Sequence, residues 1–278
     1  MIVRVEGLTL RYGGRAALDH VTAFLEGRIV GVLGANASGK TSMLKILAGV
    51  QDATAGYAFI DGHEIHAGRR PGISYLPQET GAFPFWQRPA ETLSGTFMLK
   101  GLAGHEARAK ELLEAVGLGG DDRPADQYSG GMKQKLRITQ ALSHSPRLLI
   151  MDEPTTGLDA RERLRLLRII ERLRDRVDVI FSTHQPEDVA AICDAIVILH
   201  RGRVAAAGSP AAVTSMAAGR VYEVTLQASG LPAESEYEIS AVTRSDGVLR
   251  LRVVGDAPPG AQPLEPRLED AYMLLTRT

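Results

Sequence analysis

Disulfides are excluded by arithmetic, because the 278 residues contain one cysteine, Cys193, and that usage fits a reducing compartment. An excess of charge is missing too. With 32 Lys and Arg against 33 Asp and Glu, the formal net charge is -1, and no basic surplus directs the chain to nucleic acid. No apolar run reaches the ~18–20 residues that span a bilayer; the best candidate, Ala190 to Leu199, is interrupted by Asp194. Nothing at the start resembles a signal peptide, since Met1-Ile-Val-Arg-Val-Glu6 alternates like an edge strand and carries charge at once. Internal repeats and sustained heptads are absent as well. These absences leave a globular chain with 44% apolar residues, long enough for about two domains, with an expected cytoplasmic location. Any membrane role requires a partner.

The positive signal is Gly34-Ala-Asn-Ala-Ser-Gly-Lys-Thr41, which fits the phosphate-loop pattern G-x-x-x-x-G-K-[ST]. A chain of this length meets those fixed positions by chance roughly once in a hundred, and the flanking segments lower the odds. Ile29 to Leu33 reads as a buried strand and Ser42 to Ala48 as a helix, so backbone N–H groups at the helix start face an anion. Gly34 and Gly39 permit close backbone approach. Lys40 sets a point charge beside the β- and γ-phosphates, and the Thr41 hydroxyl completes a Mg²⁺ shell. Nucleotide binding is the leading expectation.

Strand-like segments come first, at Ile2 to Glu6, Thr22 to Leu25 and, beyond the loop and its helix, Gly56 to Gly62. From Arg88 to His144 the pattern turns helical: Leu112, Leu113 and Val116 share a face in Ala107 to Val116, with Gly117 as a stop. Strand and helix then alternate through Arg147–Met151, Ala160–Arg176, Val177–Phe181, Glu187–Cys193 and Ala195–Leu199. That alternation predicts an α/β fold with a mostly parallel sheet covered by helices, preceded by an antiparallel β portion. In Ala160–Arg176, Leu166, Leu167, Ile170 and Leu173 form an apolar face, while Arg161, Arg165, Arg168 and Arg172 line a solvated one. Past Arg220 come strand-like runs at Val221–Gln227, Tyr237–Val242 and Val248–Val254, a Pro-rich link from Pro258 to Pro266, and a short final helix. The expected division is a domain over residues 1–219, with a helical insertion at about 88–145, and a small α+β extension over 220–278.

Leu148-Leu-Ile-Met-Asp152-Glu153 is an apolar strand ending in two carboxylates, at the carboxyl edge of a sheet where α/β ligand sites form. Asp152 is suited to hold Mg²⁺ through its water shell. Glu153 is suited to accept a proton from, or orient, a water attacking the γ-phosphorus. Taken alone, the pair is ordinary charged punctuation of a strand end; beside the phosphate loop it is not. Ser129-Gly-Gly-Met-Lys-Gln134 opens a helix running to about Ser143, with Ser129 as its cap and Gly130 and Gly131 leaving backbone amides uncovered, a second anion site. A loop with an ordinary N-cap is the plainer alternative for that segment.

In this order the elements resemble the nucleotide-binding subunit of ATP-binding cassette (ABC) transporters, over roughly residues 1 to 219. Gly34 to Thr41 is similar to the Walker A loop, Tyr128-Ser-Gly-Gly-Met132 to the family signature, and Leu148 to Glu153 to Walker B followed by the catalytic glutamate. The resemblance implies a P-loop NTPase fold in which ATP meets Gly34, Ala35, Asn36, Ala37, Ser38, Gly39, Lys40, Thr41 and Ser42, with Tyr12 stacked on adenine. It implies Thr41, Gln78 and Asp152 around Mg²⁺, and Glu153, His184, Lys40 and Gln78 in catalysis. Ser129, Gly130 and Gly131, with Asp159 in a D-loop-like Gly157-Leu-Asp159, would meet a nucleotide shared with another subunit. Outside the family frame Tyr12 reads as surface packing, Gln78 as a loop amide and His184 as a strand-end histidine; their order and spacing decide for the frame.

The chain departs from the family pattern in two places. Ala35 and Ala37 stand where the family has Pro and Gly; if position 37 takes a positive φ, its Cβ costs on the order of 1 kcal/mol and nucleotide affinity falls modestly. Tyr128 and Met132 replace the signature's Leu and Gln, tolerably, because backbone amides and the Ser129 hydroxyl would do the phosphate work. The terminal Leu268-Glu-Asp-Ala-Tyr-Met-Leu-Leu-Thr276 resembles the last helix of ATPases serving drug, polysaccharide or sodium exporters, and the Tyr128-Ser-Gly-Gly-Met132 form of the signature resembles theirs too, which together implies export. The family's mechanism implies a second nucleotide-binding subunit, in a homodimer, and a separate membrane-spanning permease, with this chain on the inner face of the membrane and no direct nucleic acid contact. A soluble cassette ATPase acting on ribosomes or DNA is one rival, disfavoured by the single cassette. A non-hydrolysing nucleotide sensor is another, disfavoured by the presence of Glu153 and His184.

Overall fold

Alternating burial sets the first sheet. β1 (Ile2–Tyr12) buries Val3 and Val5 while exposing Ile2, Arg4 and Glu6, and β2 (Arg15–Glu26) pairs with it antiparallel. On its other edge β1 pairs with β4 (Ala55–Ile60), which carries β5 (His63–Glu64), giving the order β2-β1-β4-β5. Both β1 and β2 outrun the expected Ile2–Glu6 and Thr22–Leu25. Gly7, at φ 57°, sits at a register shift inside β1, a bulge past which the strand continues to Tyr12. The computed structural model describes residues 1–68, 72–78, 83, 87–99, 101, 105–227, 238–245 and 248–277.

Strands that are apolar throughout have to be covered on both faces, and β3 (Ile29–Leu33) and β7 (Leu148–Met151) are buried at every position. They lie inside a six-stranded sheet of order β10-β9-β3-β8-β7-β6, completed by β6 (Ile73–Leu76), β8 (Asp178–Thr183), β9 (Ala195–His200) and β10 (Arg203–Gly208). All neighbours run parallel except β10, which is antiparallel to β9. One face shares a core with the first sheet and α1 (Lys40–Leu47), through Leu8, Leu18, Val32, Leu44, Leu47 and Ile150. The other face packs Leu33, Leu149 and Phe181 against Leu136, Leu166 and Ile170 of the helices.

α2 (Pro89–Leu99), α3 (His105–Ala115) and α4 (Gly130–Leu142) lie in the interval read as helical, but between α3 and α4 the chain makes only a short 3-10 turn, Ala125–Gln127, and residues 100 and 102–104 lie outside the described residues. α5 (Ala160–Leu173) buries Leu166, Leu167, Ile170 and Leu173 and exposes Arg161, Arg165, Arg168 and Arg172, the two faces its spacing requires. Asp194, the charge that breaks the apolar run after α6 (Pro186–Ile192), accepts from the N–H groups of Arg28 and Ile29 at 2.9 Å each and pairs with Arg174 at 2.9 Å. It ties the entry of β9 to that of β3. Among the described residues no helix is long and apolar enough to cross a membrane.

After α7 (Pro210–Ser215) the chain builds a third, antiparallel sheet of order β12-β13-β11-β14, from β11 (Val221–Leu226), β12 (Glu238–Ser245), β13 (Val248–Val254) and β14 (Gln262–Pro263). Tyr237, expected to open the β12 strand, lies outside the described residues. In α8 (Leu268–Thr276) the buried Asp270 pairs with Arg252 of β13 at 2.7 Å and accepts from Ser240 of β12 at 2.6 Å. Leu268, Tyr272 and Leu275, expected on one face, all pack on the main core.

Candidate nucleotide site

The loop between β3 and α1 is shaped from below. A Cβ on Gly34 would stand 2.4 Å from Ser38 Oγ and 2.5 Å from the Leu199 carbonyl oxygen. Gly39, at φ 108°, would place one 2.6 Å from the Ala17 carbonyl oxygen. Both glycines are therefore demanded by protein beneath the loop, where the motif had suggested the approach of a ligand. Ala37 takes φ 62°, the left-handed region in which a Cβ costs roughly 1–2 kcal/mol, as anticipated for that position.

Lys40, in the first turn of α1, is 4% exposed. Its ammonium donates to the carbonyl oxygens of Gly34 at 2.9 Å and Ala35 at 3.0 Å, and stands 3.0 Å from Glu153 Oε1. An ammonium has three donors, and each has an oxygen partner here.

Asp152 and Glu153 leave the carboxyl end of β7. Glu153 sits at φ 46°, backbone strain of the kind that collects at functional sites and survives only where the surroundings over-determine it. Its N–H donates to Ser182 Oγ at 2.9 Å, and that hydroxyl donates to Asp152 Oδ1 at 2.6 Å, so one β8 side chain holds both acids. Glu153 Oε2 accepts from Thr156 Oγ1 at 2.7 Å and lies 3.3 Å from His184 Nδ1. Burial pushes the Glu153 carboxyl up, but hydrogen bonds from Thr156 and Lys40 and the charges of Lys40 and His184 outweigh it and hold the group below its usual range. Burial, helped by the Asp152 charge, drives the Tyr75 phenol far up and keeps it neutral.

A cleft of about 850 Å³ opens here, lined by Tyr12, Asn36, Ala37, Gly39, Lys40, Thr41, Ser42, Gln78 and Glu153 among the expected residues. Tyr12 is half exposed, its hydroxyl donating to Gln51 Oε1 at 2.8 Å. Gly34, Ser38 and Asp152 are buried outside the lining, Ala35 is exposed next to it, and His184 is exposed beside Glu153. Sequence reasoning missed Arg15, Ala16, Ala17, Arg201 and Gly202, which complete the lining. No local motif marks them. They arrive by pairing across the fold: the Asp19 N–H donates to the Gly202 carbonyl at 2.8 Å, and the Gly202 N–H to the Ser38 carbonyl at 3.0 Å. Arg15 and Arg201 thus join Lys40 in a lining that holds one carboxylate, Glu153, a balance of charge suited to a polyphosphate. Thr41, Asp152 and Gln78 bring the oxygen donors a hard divalent cation takes. Among the described residues no group of three or more His, Cys, Asp or Glu is arranged to hold a metal ion, so phosphates and water would have to fill most of its shell.

The signature segment is elsewhere. Ser129 caps α4, its Oγ accepting from the Met132 N–H at 3.2 Å, and Ser129 and Gly130 are exposed. Gly131 departs from expectation: it is buried, with Glu162 Oε2 lying 2.4 Å from where its Cβ would be, so its neighbour Gly130 alone stays open. Tyr128, standing for the family's Leu, is buried; its hydroxyl donates to the Asp121 carbonyl at 3.2 Å, and burial pushes its phenol up to about 12. Asp159 caps α5, accepting from the Glu162 N–H at 2.9 Å, and is exposed. None of Ser129, Gly130, Gly131 or Asp159 lines the cleft.

A family model described as ABC transporter matches residues 20–156. A sulfate/thiosulfate import ATP-binding protein, CysA 2 of Chromobacterium violaceum, is 35% identical over 239 residues, which are 83% of this chain; the chain spans 65% of that relative's length. An uncharacterized ABC transporter ATP-binding protein of Bacillus subtilis, YxlF, is 37% identical over 207 residues, covering 73% of this chain and 69% of that one. The solved structure of an ATP-binding subunit of an ABC transporter matches with a TM-score of 0.65 at 28% identity, over 78% of this chain and 93% of that one. Export, expected from the terminal helix, gains no support from these relatives, since the one with a named cargo is an importer.

Proposed function

Since the chain belongs to the family of ABC transporter ATP-binding proteins, we propose that it binds Mg·ATP at the Gly34–Thr41 loop and hydrolyses it to power transport through a separate membrane-spanning permease. The observation that carries this reading is the convergence of Lys40, Glu153 and His184 at one end of a basic cleft. Lys40 would take the β/γ-phosphate oxygens, and Tyr12 would cover the base at the far side of the loop. Glu153, held by Thr156 and His184, would orient a water and accept its proton as the oxygen attacks the γ-phosphorus. Bound Mg²⁺ would neutralise phosphate charge, with Thr41, Asp152 and Gln78 as the residues to hold it. Because Ser129, Gly130 and Asp159 are exposed away from the cleft, a second copy would supply them. ATP contacts that exist only in the closed pair would then shift the open/closed population.

Residues 1–219 would form this cassette, on the cytoplasmic face of the membrane beside the permease, and 220–278 an extension. The direction of transport has two readings. The Tyr128 form of the signature and the Leu268–Thr276 helix favour export, whereas the Chromobacterium relative favours uptake of sulfate or thiosulfate. Labelled sulfate supplied to vesicles that hold the chain with its copurifying permease separates them: Mg·ATP-dependent accumulation from the substrate-facing side supports uptake.

The reading is tested on purified chain given Mg·ATP. Nucleotide occupancy of the cleft, release of phosphate, and copurification of an integral membrane protein from detergent extracts are expected. No occupancy overturns the proposal. Binding without hydrolysis, with membranes present, supports the sensor instead, and hydrolysis without a membrane partner supports a soluble factor.

A further inference from the structure

Asp188, in the first turn of α6, is fully buried and holds together three segments that meet at the hydrolytic end of the cleft. Its Oδ2 accepts from Thr155 Oγ1 at 2.7 Å and from Thr183 Oγ1 at 3.0 Å, and its Oδ1 from Arg163 Nε at 2.5 Å. Thr155 lies two residues beyond Glu153, and Thr183 immediately precedes His184. Arg163 is one turn into α5, whose N-cap is Asp159, and its guanidinium also meets Glu187 at 3.3 Å. One carboxylate therefore links the exit of β7, the exit of β8 and the start of α5.

We propose that Asp188 is a positioning residue for ATP hydrolysis, fixing the separation of Glu153 and His184 and tying both to the helix that Asp159 caps. The inference rests on the hydrolytic reading of Glu153 and His184. Both side chains stand on segments that have left their strands, and Glu153 keeps a left-handed backbone, so their spacing has to be imposed by what lies behind them. A buried carboxylate that accepts two hydroxyls and a guanidinium does this rigidly, because losing any partner strands charge away from water. Displacing a catalytic group by about 1 Å costs on the order of a hundredfold in rate. Binding of ATP depends on the loop and Lys40, which Asp188 does not touch.

Asp188→Asn is the informative variant: it keeps an oxygen for the threonines but sets an amide against Arg163. In the full chain it is expected to lower kcat for Mg·ATP by at least tenfold while the Kd for Mg·ATP stays within threefold. Deuterium exchange at residues 153–156 and 183–186 should rise above wild type. Ile60→Ala, a core truncation in β4 of the first sheet and in a different core from these contacts, serves as the control for lost stability and should lower Tm without dividing kcat from Kd. The inference is overturned if Asp188→Asn hydrolyses within twofold of wild type, or if its kcat and Kd move together as a merely loosened fold would make them. A wild-type chain that binds Mg·ATP without hydrolysing it, with membranes present, removes the reading beneath the inference. An active wild type with an unaffected Asp188→Asn removes the inference alone.

Discussion

Lys40 Nζ lies 3.0 Å from Glu153 Oε1, and the two side chains are 4% and 7% exposed. With Gly34 and Ala35 on its other donors, the lysine has no hydrogen left for a phosphate. A γ-phosphate arriving at Lys40 must therefore displace a partner. Glu153, itself an anion on a side chain, is the one that can leave, since the two carbonyls belong to the loop. Separation from Lys40 would also relieve part of what depresses the Glu153 carboxyl, leaving it more basic beside ATP than without it.

Glu153→Gln removes the proposed base and leaves a neutral amide oxygen, a weaker competitor than a carboxylate, against Lys40. The variant should bind Mg·ATP at least as tightly as wild type, lose about 10²–10⁴-fold in kcat, and accumulate as an ATP-bound dimer. Gel filtration with and without Mg·ATP, beside a phosphate-release assay, checks all three; normal turnover refutes the assigned base.

Ala37→Gly should stabilise the chain. At φ 62° the Cβ costs roughly 1–2 kcal/mol, and the added backbone freedom of glycine returns about 0.5–1 kcal/mol. The expected gain is about 0.5–1 kcal/mol, or roughly 1–4 °C in Tm for a chain of this size. The Kd for Mg·ATP should change little, because relief of a strain that the folded loop itself carries is shared by free and bound states. A lower Tm would mean that the loop tolerates alanine without strain.

Glu269 of α8 and Glu187 of α6 share a hydrogen bond, and burial followed by the neighbouring Glu187 holds the Glu269 carboxyl above its ordinary 4.5. A raised carboxyl contributes stability that is complete below the unfolded pKa and is lost as pH climbs through the folded one. Glu269→Gln should therefore raise Tm at pH 7 to 8, with the advantage shrinking as pH is lowered past the ordinary 4.5. Melting curves across that range test it, and a gain that grows toward acid contradicts the arrangement.

Arg252→Met leaves Asp270, which is fully buried, without its cation. Breaking such a pair from one side costs about 3–5 kcal/mol, whereas replacing both partners by apolar side chains is close to neutral. The single variant should loosen β11 to β14 in hydrogen exchange, and Arg252→Met combined with Asp270→Leu should recover at least half of the lost stability in urea titrations.

Much of this molecule is local and could be read directly. The strands Ile29–Leu33 and Leu148–Met151 are apolar without interruption, the faces of α5 follow from 3.6-residue spacing, and the Ser129 cap follows from a hydroxyl ahead of two glycines. Each depends on neighbours within one or two helical turns. The loop motif likewise fixed where the cleft would be.

The tertiary structure alone decided how the site is held. Ser182 bridges Asp152 to the Glu153 N–H, Arg15 and the Arg201-Gly202 turn reach the loop, and Gly34 and Gly39 are small because Leu199 and Ala17 press against them. Partners such as Glu153 and Lys40 are far apart in sequence and meet because β8 lies between β3 and β7. Strand order carries no local periodicity. It is settled by which faces of the sheet find covering helices, and those contacts exist only once the chain is folded.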